Sequence, residues 1–135
     1  MTEKVVIDAA GFPAGRISSY AAKEAILGKE VAVINSEKAV ISGNKEDTIA
    51  KYKRLRRMGG DALKGPYHSL DAEKRLKRMI RSMLPDYKTG RGREAWKRVR
   101  CYIGVPAELK SLKPIKLNLR TPAKHITLKE LKEKL

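Results

Sequence analysis

Two short β-branched runs, Val5-Val6-Ile7 and Val31-Ala32-Val33-Ile34, flank a small-residue segment bracketed by glycines, and this arrangement limits the fold more than any other feature. Runs without polar alternation suit strands buried on both faces. Gly11-Phe12-Pro13-Ala14-Gly15 reads as the turn leaving the first strand. Residues 15–27 then read as a helix carrying Ala21, Ala22 and Ala25, small enough to lie close to a sheet, with Gly28 at the C′ position. A crossover of this length implies parallel strands. The opening third is therefore a β-α-β unit, and the chain reads as α/β.

The rest of the chain continues in alternating elements. Lys38-Ala39-Val40-Ile41 is a further short extended segment, ended by Ser42-Gly43. A second helix is predicted from about Lys45 to Met58, with Asn44 as N-cap and Glu46 and Asp47 in its first turn, as the helix dipole prefers. Gly59-Gly60 ends it. A loop with Gly65-Pro66-Tyr67-His68 follows, then Ser69 as N-cap of a third helix, about Leu70 to Leu84, stopped by Pro85. Residues 93–98 suit one or two helical turns, and Val99 to Ile103 a strand closed by Gly104. Pro106, Pro114 and Pro122 mark a mostly extended stretch that wraps the domain. Thr127-Leu128-Lys129-Glu130 is a capping box opening a last helix, whose Leu128, Leu131 and Leu135 form one apolar stripe.

Length and composition bound the class. At 135 residues the chain is expected to form one domain, able to bury roughly 65–70% of its unfolded surface without disulfides or metal. Lone Cys101 excludes an intrachain disulfide and fits a reducing cytosol. The N-terminus does not read as a signal peptide, and no apolar run approaches the ~20 residues of a membrane span. The absence of Gln, with many Lys and Glu, is a bias reported for hyperthermophile proteins.

Charge points to a partner. The net charge is +16, against about 2–8 for an ordinary small domain. It is also segregated. Residues 1–50 carry net −1, residues 51–100 carry +12 and residues 101–135 carry +5. The chain is therefore expected to divide into a near-neutral β-α-β scaffold (1–50), a basic block expected to bind a polyanion such as RNA (51–100), and a strand, extended segment and C-terminal helix (101–135). A field of this sign attracts polyanions.

The basic helices have faces. At about 100° per residue, Leu76, Met79, Ile80 and Met83 of the third helix share one sector, and Lys74, Lys77, Arg78 and Arg81 share another roughly 160° away. In the second helix Ile49, Tyr52 and Leu55 pack while Lys51, Arg54 and Arg57 lie opposite. Ordinary outer faces mix signs and gain from pairing at i, i+4; like charges there repel, and a phosphate backbone removes the repulsion. Tyr87-Lys88-Thr89-Gly90-Arg91-Gly92-Arg93 reads as a loop whose glycines permit close approach and whose arginines grip phosphate, ordering on contact with RNA. Tyr67 and His68, near Lys64, either stack on a base or close their loop against the domain. The expected RNA-contact set is Lys51, Arg54, Arg57, Lys64, Tyr67, His68, Lys74, Lys77, Arg78, Arg81, Lys88, Arg91, Arg93, Lys97 and Arg98.

Other chemistry finds little footing. Gly11-x-x-x-Gly15-Arg16 sits where a nucleotide-binding loop would, but lacks the Gly-Lys-Ser/Thr ending and the three-glycine pattern, so its glycines read as a tight turn. Asp8 at the strand end reads as a partner for turn amides. His68, His125 and Cys101 have no ligand-like spacing, no metal or cofactor is expected, and Cys101 reads as a small core residue. A nucleotide-dependent enzyme built on the Gly11–Gly15 loop is the second reading. A peripheral membrane protein is the third, and it lacks an apolar insertion face or lipidation motif beside the basic block.

Several landmarks in order carry a family resemblance: Val6-Ile7-Asp8-Ala9 with Gly11 to Arg16, Ala39-Val40-Ile41-Ser42-Gly43, Gly65-Pro66-Tyr67-His68, Met83-Leu84-Pro85 leading to Arg91-Gly92-Arg93, and Tyr102-Ile103-Gly104-Val105-Pro106. The chain resembles, over essentially its whole length, the large-subunit ribosomal protein family L-thirteen in its archaeal and eukaryotic branch. The resemblance implies a three-layer α/β/α fold with a mostly parallel central sheet of about four strands, basic helices and a C-terminal helix. It also implies binding to large-subunit rRNA beside neighbouring ribosomal proteins, a role early in subunit assembly, a cytoplasmic place in the ribosome and no catalysis. Ser82 departs from the Gly usual in relatives. The chain stops short of the long C-terminal extension of eukaryotic relatives, which favours an archaeal source.

Overall fold

A computed structural model describes residues 3–57, 69, 71–110, 112–116 and 120–134. Strand β1 (Lys4–Asp8) leads through helix α1 (Ala14–Ile26) to strand β2 (Glu30–Ile34). The two strands pair in parallel with Val6 opposite Ala32. The β-α-β unit thus forms as the β-branched runs and the crossover length require. After a 3₁₀ turn (Ser36–Lys38) come strand β3 (Val40–Ser42) and helices α2 (Lys45–Arg57), α3 (Ala72–Ser82) and α4 (Gly90–Arg98). Strand β4 (Val99–Cys101), a second 3₁₀ turn (Ala107–Leu109), strand β5 (His125–Thr127) and helix α5 (Leu128–Lys134) complete the order.

The main sheet has the order β1-β2-β4, parallel throughout. The wrapping segment adds one bridge at its edge: Ile115 N–H donates to the Val6 carbonyl at 2.7 Å, and Asp8 N–H donates to the Ile115 carbonyl at 3.0 Å. A separate antiparallel pair, β3 with β5, sets Ile41 opposite Ile126. The expected sheet of about four strands is therefore three parallel strands plus a two-stranded ladder. Strand β5 did not show in the sequence, because a three-residue strand with one apolar side chain has no period to detect.

Alternation along the strands sends side chains to two cores. Val5, Ile7, Val31, Val33 and Val99 face the larger one, with Ile17, Ala21 and Ala25 of α1, Leu76 and Ile80 of α3, and Leu128 and Leu131 of α5. Val6, Ala32 and Ile34 face the other way, onto Leu109 and Tyr102. Among the described residues that second face is covered by a single 3₁₀ turn and extended chain.

Local boundaries follow capping chemistry. Gly28 follows α1 in the left-handed region, φ +98°, as the C′ position predicts. The Glu46 N–H donates to Asn44 Oδ1 at 2.9 Å, and the Glu130 N–H to Thr127 Oγ1 at 3.1 Å, so two of the three expected N-caps are made. Helix α3 is shorter than expected. Its N-cap position is Asp71, not Ser69; the Ser69 hydroxyl accepts the Asp71 N–H at 3.2 Å one step earlier. It ends at Ser82, so Met83 leaves the packing sector and is 46% exposed, while Leu84 takes the interior place.

The segment after Pro85 is corrected most. Gly90 to Arg93 are not a loop awaiting RNA; they are the first turn of α4. A Cβ on Gly92 would overlap the Pro85 carbonyl oxygen, so the close approach that this glycine permits is to its own chain. Thr89 Oγ1, donating to Asp86 Oδ2 at 2.8 Å, and Thr89 N–H, donating to the Asp86 carbonyl at 3.2 Å, hold the turn before it.

Candidate nucleic-acid interface

Helices α2, α3 and α4 bring the basic block to one side of the sheet. Helix α2 buries no residue fully; Ile49 and Tyr52 rest against the core, and Lys45 pairs with Glu130 of α5 at 3.2 Å. Its Lys51, Arg54 and Arg57 are exposed, as its expected outer face requires. Helix α3 presents Lys74, Lys77, Arg78 and Arg81 away from Leu76 and Ile80.

Five of the expected residues converge. Lys51, Lys74, Lys77, Arg78 and Arg81 line one groove of about 480 Å³, floored by Tyr52, Leu55, Met79 and Trp96. Its lining, among the described residues, contains no carboxylate. Aromatic rings anchor the cations: Lys77 Nζ lies 4.7 Å from the Trp96 ring centre, and the Arg81 guanidinium 4.7 Å from that of Tyr87. Such cation–π contacts hold long side chains in place without neutralising them.

The other expected residues stand outside that groove. Arg54, Arg57, Lys88, Arg91 and Arg93 are exposed. Arg91 and Arg93 lie in the first turn of α4, which has no acidic residue, so they oppose the helix dipole. Lys97 lies 3.9 Å from Glu94; at the groove itself, Lys74 lies 3.4 Å from Asp71, whose carboxyl is held below its usual range by hydrogen bonds from Lys74 and then Lys132. Arg98 commits Nη1 to the Ala25 carbonyl at 2.9 Å, tying α4 to the end of α1. Lys64, Tyr67 and His68 lie outside the described residues.

Sequence reasoning missed Arg75 and Trp96. Arg75 is only 5% exposed, with its guanidinium 4.9 Å from the Tyr52 ring centre, and it lines the same groove. Its Nε, Nη1 and Nη2 are buried, with no hydrogen-bond partner among the described residues. Burial lowers its proton affinity; Tyr52 opposes that shift and the charge of Arg56 adds to it. A signal existed, since Arg75 sits four residues before Met79, on the edge of the apolar sector rather than in the cationic one.

The competing chemistries fare poorly. The Gly11 N–H is taken by the Lys38 carbonyl at 3.0 Å and its carbonyl by Thr121 Oγ1 at 2.7 Å, so this turn is closed on the protein itself. Gly15 lies inside α1 with open space for a Cβ, so it does not serve the turn as expected. Asp8 Oδ1 accepts from the Ala10 N–H at 3.0 Å and from Asn35 Nδ2 at 3.1 Å, a bonding role. Burial pushes the Cys101 thiol up to about 12, which keeps it protonated at neutral pH. Among the described residues no group of three metal-binding side chains occurs, and no helix is long and apolar enough to cross a membrane.

Comparison with known proteins places the chain among ribosomal proteins. The chain is 41% identical to the large ribosomal subunit protein uL13 of Methanosarcina barkeri, over 96% of each chain. It is 41% identical to that of Methanocaldococcus jannaschii, also over 96% of each. It is 45% identical to that of Archaeoglobus fulgidus over 77% of this chain and 65% of the relative. The family model described as ribosomal protein L13 matches residues 2–108, and the chain belongs to that family.

Proposed function

We propose that the chain is a non-catalytic structural constituent of the large ribosomal subunit, which binds large-subunit rRNA and supports early subunit assembly in the cytoplasm. The observation that carries this reading is the convergence of Lys51, Lys74, Lys77, Arg78 and Arg81 on one carboxylate-free groove. Phosphates along that face would remove the mutual repulsion of the cations. An anion at the first turn of α4 would relieve Arg91 and Arg93 and meet the helix dipole with the favoured sign. Arg54, Arg57, Lys88 and Lys97 would extend the same contact surface, and Arg98, tied to α1 through Nη1, would add its charge to it. Lys64, Tyr67 and His68, outside the described residues, complete the proposed RNA-contact set. The chain acts as one domain, with the near-neutral first fifty residues as scaffold and neighbouring ribosomal proteins as further partners.

Filter binding of the whole protein to large-subunit rRNA at several salt concentrations tests the reading. Log affinity is expected to fall with log salt by about 0.7–0.9 for each phosphate neutralised. Lys51→Ala, Arg54→Ala or Arg78→Ala should each reduce that slope by roughly one phosphate. Binding indifferent to salt would sink the proposal.

A further inference from the structure

Among the described residues Arg75 has no counter-charge. Its guanidinium is buried against Tyr52, with no hydrogen-bond partner among the described residues. A buried, unpaired cation is costly, and removing its partner in other proteins is strongly destabilising. The face of Tyr52 offsets only part of that cost. The groove that Arg75 lines adds cations and no acid. Its floor, however, is Tyr52, Leu55, Met79 and Trp96, apolar and aromatic where a phosphate alone would need neither. A volume of about 480 Å³ is that of a small-molecule site rather than an ion site.

We propose that this groove seats one unstacked nucleotide of the bound RNA, its phosphate supplying the missing partner of Arg75 and its base resting on the apolar floor. The inference rests on the RNA-binding reading above and assigns it a specific seat. Single-stranded RNA is commonly held in this way, with bases splayed onto aromatic side chains and phosphates on cations. Arg75 would then act where the exposed cations do not, because its charge is already desolvated and gains most from an anion.

Trp96, the sole tryptophan, reports on the floor directly. A short mixed-sequence RNA strand added to the whole protein is expected to quench Trp96 fluorescence. An abasic strand of equal length and charge is expected to bind with little quenching. Arg75→Leu is expected to weaken RNA binding about tenfold or more and to abolish the quench, with a thermal midpoint no lower than the parent's. Equal quenching by the abasic strand, or unchanged affinity in Arg75→Leu, would overturn the proposal; the strand comparison uses the parent protein and needs no variant to fold. Adenosine monophosphate quenching at lower concentration than the strand would also overturn it, marking a free-nucleotide site. Filter binding of the parent to rRNA separates the two readings: salt-dependent binding with a failed quench removes only the nucleotide seat, whereas no binding removes the RNA-binding reading.

Discussion

A Cβ on Gly92 would overlap the Pro85 carbonyl oxygen and stand 2.6 Å from that of Asp86, so α4 begins directly on the turn that leaves α3. Both contacts are backbone, and neither can swing aside. Gly92→Ala is expected to destabilise by about 3 kcal/mol, read from the urea midpoint, because helix propensity gained cannot offset that overlap. Cys101 offers a second test. Burial pushes its thiol up to about 12, above the ordinary value, so its thiolate appears only as pH rises toward that figure. Alkylation at neutral pH should therefore be far slower in the folded protein than in denaturant; equal rates would contradict the burial. The sequence read Cys101 as a core residue from its strand setting. Gly92 was assigned to RNA, because a glycine between arginines gives no sign of which backbone it approaches.

Helix α5 is short, and two features fix it. The Thr127 hydroxyl caps it, and Leu128 and Leu131 are fully buried. Thr127→Ala should cost about 1 kcal/mol and Leu131→Ala about 2–5 kcal/mol in chemical denaturation. Helix α2 is the opposite case, with no fully buried residue. Its amides should exchange with deuterium sooner than those of α3, which anchors Leu76 and Ile80 in the core. Caps and apolar stripes are local, so α1, α2 and α5 were legible within a residue or two. The start of α4 and strand β5 were not, since one depends on a remote carbonyl and the other on pairing with Ser42, Ile41 and Val40 far upstream.

Across the whole molecule, the charged block also supplies core, since Leu76, Ile80 and Ala95 of α3 and α4 pack with the first strands. The cationic sectors of α2 and α3 followed from helical rotation. Their meeting in one groove did not, because it depends on how α2 crosses α3, and Arg75 was overlooked for the same reason. One feature of the sheet bears on how such a molecule is made. The strand beside β2 is β4, and Val31 waits for Val99 as its neighbour. Every residue of α2, α3 and α4 lies in the excursion between them. During synthesis the first two strands can pair as soon as they emerge, yet the open side of β2 stays bare until the last cation of the block has left the ribosome. The slow, long-range closure of the sheet is thus the step that gathers the three basic helices. An RNA that drew them together early would shorten that search.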